Sequence, residues 1–192
     1  MGTAVRPARH VVALALGIGL VLLGLSSCSS TSSPATSPTA THSPTATALT
    51  TCQAIQLTLG IQSEQSGNGN RAYLYQLENN ASDACTLEGY PVVRVLNMQL
   101  QPLPIPVSQQ TSAYLYTNAQ PQLVTLASAA NAYFVVEWVG AEYGSGTCIS
   151  AGWVEVILPG NQLPLAFPSP IAVCTGGVAV SPIEPTLTAL GY

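Results

Sequence analysis

Short runs that alternate apolar and polar residues recur along the chain from Cys52 onward. In the first run, Ile55 to Ile61, every second residue is aliphatic, which is the period of a strand with one buried face. The run from Asn131 to Val139 is the richest in aromatic and β-branched residues, the types that favour strands. Turns rich in Gly, Asn and Pro separate these runs about every eight to twelve residues, and no stretch follows a helical period. The pattern predicts an all-β fold, an antiparallel immunoglobulin-like β-sandwich.

Two segments interrupt this pattern. Gln101 to Val107 has a proline at every second position. We expect an edge strand or an irregular segment there, because proline cannot donate a hydrogen bond to a sheet. Ser108 to Gln122 is a long polar stretch that contains Tyr114, Leu115 and Tyr116, and it is predicted to be a loop.

The N-terminal part of the sequence has the features of an export signal. Two arginines precede an uncharged apolar run from Val11 to Leu25, which is shorter than the roughly 20 residues that a membrane-spanning helix needs. The run ends in Leu-Ser-Ser directly before Cys28, and this ending resembles the lipobox of bacterial lipoproteins. The resemblance implies that residues 1–27 are a signal peptide and that Cys28 is lipidated, which anchors the protein on the extracytoplasmic face of the cell membrane. The alternative is an ordinary secretory leader followed by an incidental cysteine.

A tether follows the predicted lipid anchor. Ser29 to Thr51 consists almost entirely of Ser, Thr, Pro and Ala, and His42 is its only ionisable side chain. Such a composition cannot bury enough apolar surface to offset the entropy of ordering, so residues 28–51 are predicted to be disordered. Residues 52–192 then form the β-sandwich domain, held away from the membrane by the tether.

Four cysteines remain once Cys28 is assigned to lipid: Cys52, Cys85, Cys148 and Cys174. An exported chain enters an oxidising compartment, where thiols pair. Four cysteines allow three pairings, of which we favour Cys52–Cys85 with Cys148–Cys174, the pairing of neighbours in sequence. Each bond is expected to stabilise the fold by roughly 3–4 kcal/mol. The even number that remains supports the assignment of Cys28 to lipid.

The stretch from Asn80 to Pro91 combines a turn, a cysteine and a Gly-Tyr-Pro corner in the order Asn-Ala-Ser-Asp-Ala-Cys-Thr-Leu-Glu-Gly-Tyr-Pro. It resembles the N-x-S-x-x-C-x-L-x-G-Y-P signature of a family of actinobacterial secreted and lipid-anchored proteins whose domain has no known function. The resemblance extends over most of residues 52–183 and implies a β-sandwich at the cell envelope, without an established activity. It departs at Leu126 to Ala130, where the family often has Pro-Gly in the turn.

The charge content excludes several classes of partner. Charged residues make up 6 % of the chain, lysine is absent, and the formal net charge is −4. Such a chain cannot neutralise a phosphate backbone, so no nucleic-acid partner is expected.

The cysteines also lack the short C-x-x-C spacing of zinc sites, and no metal ion or cofactor is expected.

The residues available for catalysis are few. Outside the leader the only histidine is His42, in the tether, whereas acid–base catalysis near neutral pH usually relies on histidine or on paired carboxylates. A distant pair such as Glu137 with Glu155 could meet if their strands were neighbours. Solvent-facing strand residues are the favoured interpretation of both glutamates. The sequence therefore predicts a protein that is not an enzyme.

Binding is the favoured class of function. Tyr114 and Tyr116 lie in the polar loop, and Trp138, Tyr143 and Trp153 lie near another. Tyrosine and tryptophan are frequent in contacts with partners, although burial in the core is the favoured interpretation of the tryptophans. We expect the sandwich to bind an envelope protein or a cell-wall glycan through Tyr114 and Tyr116. The alternative is an accessory lipoprotein that carries an apolar ligand between the two sheets.

Overall fold

The computed structural model describes residues 49–140 and 147–192. Within these ranges the chain forms eleven β-strands and two 3-10 turns, Ala54–Gln56 and Thr188–Leu190, and it contains no α-helix. The strands are β1 (Thr50–Thr51), β2 (Leu57–Gly67), β3 (Asn70–Asn79), β4 (Cys85–Glu88), β5 (Val92–Leu96), β6 (Val107–Gln109), β7 (Leu123–Leu126), β8 (Asn131–Val139), β9 (Ile149–Ile157), β10 (Pro164–Val173) and β11 (Thr175–Val180). In this part of the chain, no helix is long and apolar enough to cross a membrane.

The strands form one five-stranded and two three-stranded sheets. The strand orders are β2-β3-β8-β11-β6, β1-β4-β7 and β10-β9-β5. Most neighbours are antiparallel, whereas the short strands β1 and β6 pair in parallel with β4 and β11. The inner faces of all three sheets contribute to one hydrophobic core. The predicted all-β, sandwich-like architecture is confirmed.

Large side chains fill the space between the sheets. Tyr75 on β3 and Phe134 on β8 are fully buried, and their rings stack with centroids 5.1 Å apart. Leu57 and Leu59 of the alternating run on β2 are buried in the same core. These side chains all lie on the five-stranded sheet, and the same core contains residues of the other two sheets, so the three sheets pack through their inner side chains.

The start of the alternating run differs from the prediction. Ile55 lies in the first 3-10 turn and is 87 % exposed, so it is not a strand residue. The backbone N–H of Gln56 donates to the carbonyl of Gln53 at 2.9 Å, which closes a turn just before β2 begins. The alternation of apolar and polar residues could not reveal this turn, because Ile55 is apolar and fits the pattern although its side chain is exposed.

Both disulfides form as predicted. Cys52 bonds to Cys85 with the sulfurs 2.03 Å apart, and Cys148 bonds to Cys174 at 2.00 Å. The first bond joins the start of the domain to β4, beside the parallel pairing of β1 with β4. Asn161 strengthens this corner, since its side-chain amide donates to the carbonyl of Cys52 at 2.8 Å and its amide oxygen accepts the N–H of Ala54 at 2.9 Å.

The segment from Cys85 to Leu96 contains two strands that belong to different sheets. β4 pairs with β7, while β5 pairs with β9 in another sheet. Gly89 separates them with φ of 96°, a conformation that favours glycine. The Gly-Tyr-Pro corner therefore transfers the chain from one sheet to the next.

The proline-rich segment leads into an edge strand. β6 lies at one end of the five-stranded sheet, and it begins at Val107, where the predicted segment ends. The carbonyl of Pro106 accepts the backbone N–H of Val178 on β11 at 2.9 Å. Proline is tolerated here because an edge position leaves one side of the strand without a neighbouring strand to accept its N–H.

Strand β8 is buried on both of its faces. Its inner face, with Phe134 and Val136, points into the core between the sheets, and Val135 and Glu137 on its outer face are also buried. A second hydrophobic cluster lies on this outer side of the five-stranded sheet. Its members are Ala72, Leu74, Tyr116, Ala119, Val135 and Leu190. The chain between β6 and β7, together with the last described residues, therefore covers the outer face.

Candidate functional site

A loop of residues 110–122, here called the cover loop, is held on the outer face of the five-stranded sheet by a buried carboxylate. Glu137, on β8, is only 4 % exposed. Its Oε1 accepts the backbone N–H of Tyr114 at 3.1 Å, and its Oε2 accepts that of Leu115 at 2.7 Å. Hydrogen bonds from neutral donors to an ionised acceptor are stronger than those between neutral groups. The two bonds fix the middle of the loop to the centre of the sheet.

Burial and hydrogen bonding act in opposite directions on Glu137. Desolvation raises the pKa of its carboxyl group above the usual value, and the two N–H groups of Leu115 and Tyr114 lower it by a smaller amount. The net direction is upward, because a carboxylate removed from water loses more than two hydrogen bonds restore. Glu137 therefore takes up a proton at a higher pH than an exposed glutamate does.

A second buried carboxylate holds the end of the cover loop. Glu184 is fully buried, and its side chain accepts hydrogen bonds from the backbone N–H of Gln120 at 2.8 Å and from the side-chain amide of Gln122. Its backbone exchanges two hydrogen bonds with Tyr133 on β8, each 2.8 Å long. The cover loop is thus tied to the sheet at both Tyr114–Leu115 and Gln120–Gln122.

Tyr116 does not lie on the surface, so the expectation that both loop tyrosines are exposed is wrong for this residue. It is 1 % exposed and belongs to the outer hydrophobic cluster with Leu74 and Val135. Its hydroxyl donates to the carbonyl of Gln110 at 3.3 Å, and burial raises the pKa of the phenol. The physical reason is that burial of the apolar outer face of β3 and β8 stabilises the fold, and Tyr116 is the largest of the buried side chains that cover this face.

Tyr114 lies on the surface, with 55 % of its side chain exposed. Its hydroxyl accepts a hydrogen bond from the side-chain amide of Asn68, in the turn between β2 and β3. The edge of its ring lies over Gly67, where a Cβ atom would be 3.3 Å from the Tyr114 Cε1. The aromatic ring is therefore exposed but held in position by the neighbouring hairpin.

A groove of about 510 Å³ opens beside Tyr114 on the outer face of the five-stranded sheet. The strand register places Ala179 on its floor between Glu137 and Ser108. Gly176 and Gly177 continue the floor along β11, so that small residues leave depth below the rim. Its further lining includes the aromatic ring of Tyr114 and the amide side chains of Asn70 and Gln110. This volume lies within the usual range for a small-molecule site, roughly 300–1,000 Å³.

Trp138 and Trp153, the two tryptophans considered for binding, lie in different environments. Trp138 is 3 % exposed and packs against Tyr73 in the core, with ring centroids 5.0 Å apart. Its indole N–H has no hydrogen-bond partner among the described residues. Trp153 is half-buried on β9, and Tyr143 lies outside the described residues. Core packing is therefore the environment of Trp138.

Glu137 and Glu155 do not form a pair, so the possibility that their strands are neighbours is wrong. Glu155 lies on β9, in a different sheet, and binds Arg94 on β5 with an N–O distance of 3.0 Å. The flanking residues Val154 and Val156 point into the core, so Glu155 faces outward on the opposite side of the sandwich from Glu137. Among the described residues, no group of three or more His, Cys, Asp or Glu side chains could hold a metal ion.

Buried polar residues that hold loops are the features missed by the sequence interpretation. Asn79 is the clearest case, since it is fully buried and its side-chain amide donates to the carbonyls of Asp83, Leu126 and Ala127 at 2.9, 3.0 and 3.2 Å. Its amide oxygen accepts the N–H of Ala81 at 3.0 Å. The only sequence signal was a polar residue at the end of a strand of mixed polar and apolar residues, which is also what a solvated turn would show.

Comparison with known families assigns the domain. Residues 52–188 match the family described as Domain of unknown function (DUF4232). The chain belongs to the DUF4232 family. No curated protein and no solved structure matches it. The match includes every strand from β2 to β11, and so the cover loop and the groove lie within the DUF4232 domain.

Proposed function

We propose that this DUF4232 protein is a non-catalytic lipoprotein of the actinobacterial cell envelope. Support comes from the apolar run that ends at Cys28, from the Ser/Thr/Pro/Ala composition of residues 29–51 and from the signature between Asn80 and Pro91. The leader, Cys28 and most of the tether lie outside the described residues. Two disulfides in the domain favour an oxidising compartment, as expected for an exported protein.

The proposed task of the domain is to recognise an envelope component in the groove beside Tyr114. The observation that carries this proposal is the combination of an exposed aromatic ring, held by Asn68 and Gly67, with a groove of about 510 Å³. A side chain that is held in place before binding loses little conformational entropy when a ligand arrives. Two buried carboxylates hold the loop that carries this ring, so the groove wall is pre-formed.

The alternative function, transport of an apolar ligand between the sheets, is less favoured. The inner faces meet through large buried side chains such as Tyr75, Phe134 and Leu87. An apolar ligand would have to displace these contacts, and each large side chain contributes about 1.5–3 kcal/mol by its burial. A groove that is already open requires no such displacement.

The proposal is tested by capture of envelope material on the full chain, purified in detergent and immobilised. Ala179→Leu places a larger side chain on the groove floor and should reduce the recovery of the bound component. Ala166→Leu is the matched control, because Ala166 lies opposite Glu155 on the outward side of β10 and is exposed. Equal recovery by the wild type and by both variants, with unchanged melting temperatures, would remove the groove as the recognition site.

A further inference from the structure

The lining of the groove restricts the charge of its ligand. Among the described residues that form it, none is Lys, Arg or His, and Glu137 is the only carboxylic acid. Recognition of a phosphate or a carboxylate relies on Arg, on Lys or on clustered backbone N–H groups. The floor residues Val178–Val180 offer no such cluster, because they are paired with β8 on one side and with β6 on the other. An anionic ligand would find no charge partner in this groove.

A cationic ligand is also disfavoured. Both oxygens of Glu137 already accept backbone hydrogen bonds from the cover loop, at 3.1 and 2.7 Å. A cation that drew the carboxylate away would break the bonds that hold the groove wall. Burial also raises the pKa of this carboxyl group, which is the direction opposite to the one a strong cation site requires. Glu137 therefore serves the cover loop.

A peptide cannot bind as an additional strand beside Val178–Val180 of the floor strand β11, where both sides are paired. Strand addition needs a sheet edge with unpaired backbone groups, and the floor strand β11 has a neighbour on each side. The ligand must be recognised by side chains. Those available are the hydroxyl of Ser108, the amides of Gln110 and Asn70, and the ring of Tyr114. The amide nitrogen of Gln110 donates to the Ser108 hydroxyl at 2.8 Å, so the Gln110 amide oxygen remains as an acceptor for a ligand.

We propose that the groove binds a neutral oligosaccharide. Amide and hydroxyl side chains match the uncharged donors and acceptors of sugar hydroxyls, and the flat ring of Tyr114 can lie against the C–H face of a pyranose. The small floor residues Gly176 and Ala179 leave room for a sugar ring below the rim. This inference rests on the proposed function, because it names the class of ligand for the same groove.

The test is calorimetric titration of the full chain, held in a detergent without a sugar headgroup. The probes are uncharged tri- to hexasaccharides of pentoses, hexoses and N-acetylhexosamines. Oligomers of uronic acids and an uncharged peptide of similar length serve as comparison ligands. At least one neutral oligosaccharide should bind, and Tyr114→Ala should weaken it by about tenfold, as expected for loss of an aromatic anchor. Tyr114→Phe keeps the ring but loses the hydroxyl that accepts from Asn68, so it should bind more weakly than the wild type and more tightly than Tyr114→Ala.

Further outcomes separate this inference from the proposed function. Ala179→Leu should abolish saccharide binding, and Ala166→Leu should leave it unchanged. Equal binding of a uronic acid oligomer, tighter binding of the peptide, or no binding by any neutral oligosaccharide would each overturn the saccharide assignment. In those cases, capture of envelope material that still depends on Ala179 would leave the groove as a recognition site for another ligand. Capture that does not depend on Ala179 would overturn both.

Discussion

The Oε2 atom of Glu137 accepts the backbone N–H of Leu115 at 2.7 Å, which joins the centre of the five-stranded sheet to the middle of the cover loop. A second bond, from the N–H of Tyr114, reaches the Oε1 atom of the same carboxylate at 3.1 Å. The wall of the groove therefore depends on one side chain of β8, the strand that pairs with the floor strand β11. This arrangement leads to two predictions about Glu137, one for local opening and one for pH.

Replacement of Glu137 by alanine should loosen the cover loop. Two backbone N–H groups lose their acceptor, and each unsatisfied donor costs about 1–3 kcal/mol when it is removed from water. Amide hydrogen exchange at Tyr114 and Leu115 should become faster, while exchange in the core strand residues Phe134 and Val136 should keep its slow rate. Glu64→Ala is the control, because Glu64 is exposed and forms an ion pair with Arg71, with an N–O distance of 3.3 Å, away from the cover loop. Unchanged exchange at Tyr114 and Leu115 in Glu137→Ala would contradict the role assigned to the carboxylate.

The contribution of Glu137 to stability should depend on pH in a defined direction. Its pKa is raised in the folded protein, so folding takes up a proton between the unfolded and the folded pKa. Its contribution is therefore most favourable below the unfolded pKa and falls as the pH rises through the folded pKa. The stability of the wild type relative to Glu137→Gln should increase when the pH is lowered from about 7 to about 5, as measured by urea unfolding. A difference that stays constant or decreases would be the opposite result.

Asn79 should be far more important for stability than its neighbour Asn80. Asn79→Ala leaves the carbonyls of Asp83 and Leu126 without their side-chain donor in a fully buried position, and we expect a loss of about 3 kcal/mol. Asn80 is exposed, and its side-chain amide donates to the hydroxyl of Thr58 at 2.5 Å. Asn80→Ala should change the free energy of unfolding by about 0.5 kcal/mol or less. Chemical denaturation of both variants checks the prediction, and similar losses would contradict it.

Ala129→Gly should stabilise the protein. Ala129 has φ of 58° in the turn between β7 and β8. A left-handed conformation costs an L-residue about 1–2 kcal/mol, and glycine removes this cost. Glycine also gives the unfolded chain more conformational entropy, which offsets part of the gain. The net stabilisation is therefore expected to be about 0.5–1 kcal/mol. Ala127→Gly is the control in the same turn, because Ala127 is not among the described residues with positive φ. A thermal unfolding temperature that rises only for Ala129→Gly would agree with this explanation.

Anchoring is predicted to depend on Cys28. Cys28→Ala removes the sulfur that would carry the lipid, so the protein should appear in the medium and leave the membrane fraction. Multiple acyl chains anchor a protein stably where a single chain does not. Fractionation followed by immunoblotting checks this, with the Cys52–Cys85 disulfide as an internal control for correct export. Membrane retention of Cys28→Ala would show that another segment provides the attachment.

The strand pattern and the disulfides were predictable because both depend on local sequence. Alternation placed Leu57 and Leu59 in the core, and proximity in sequence paired Cys52 with Cys85. The environment of Tyr116 was not predictable in this way. Its burial depends on the apolar outer faces of β3 and β8, which come from distant parts of the chain. The polar sequence of the loop does not indicate that it packs on this surface.

The environment of Glu137 was also only partly predictable from the sequence. Glu137 interrupts the most apolar run of the chain, and this was interpreted as an outward-facing residue on a wet surface. Its direction was correct, but the surface is covered by the loop that it binds. A charged residue inside a strongly apolar strand can thus indicate a covering segment as well as solvent, and only the tertiary structure distinguishes the two.

The Cys52–Cys85 bond also determines how the domain would respond to mechanical tension. If the protein is tethered through its N-terminal segment, a pulling force enters at Thr50 and reaches Cys52 within two residues. The covalent link to Cys85 passes this load directly to β4, and so β2, which follows Cys52 in the chain, does not have to bear it. Strands β2 and β3, which lie between these two cysteines in the chain, would then keep their positions under such a load.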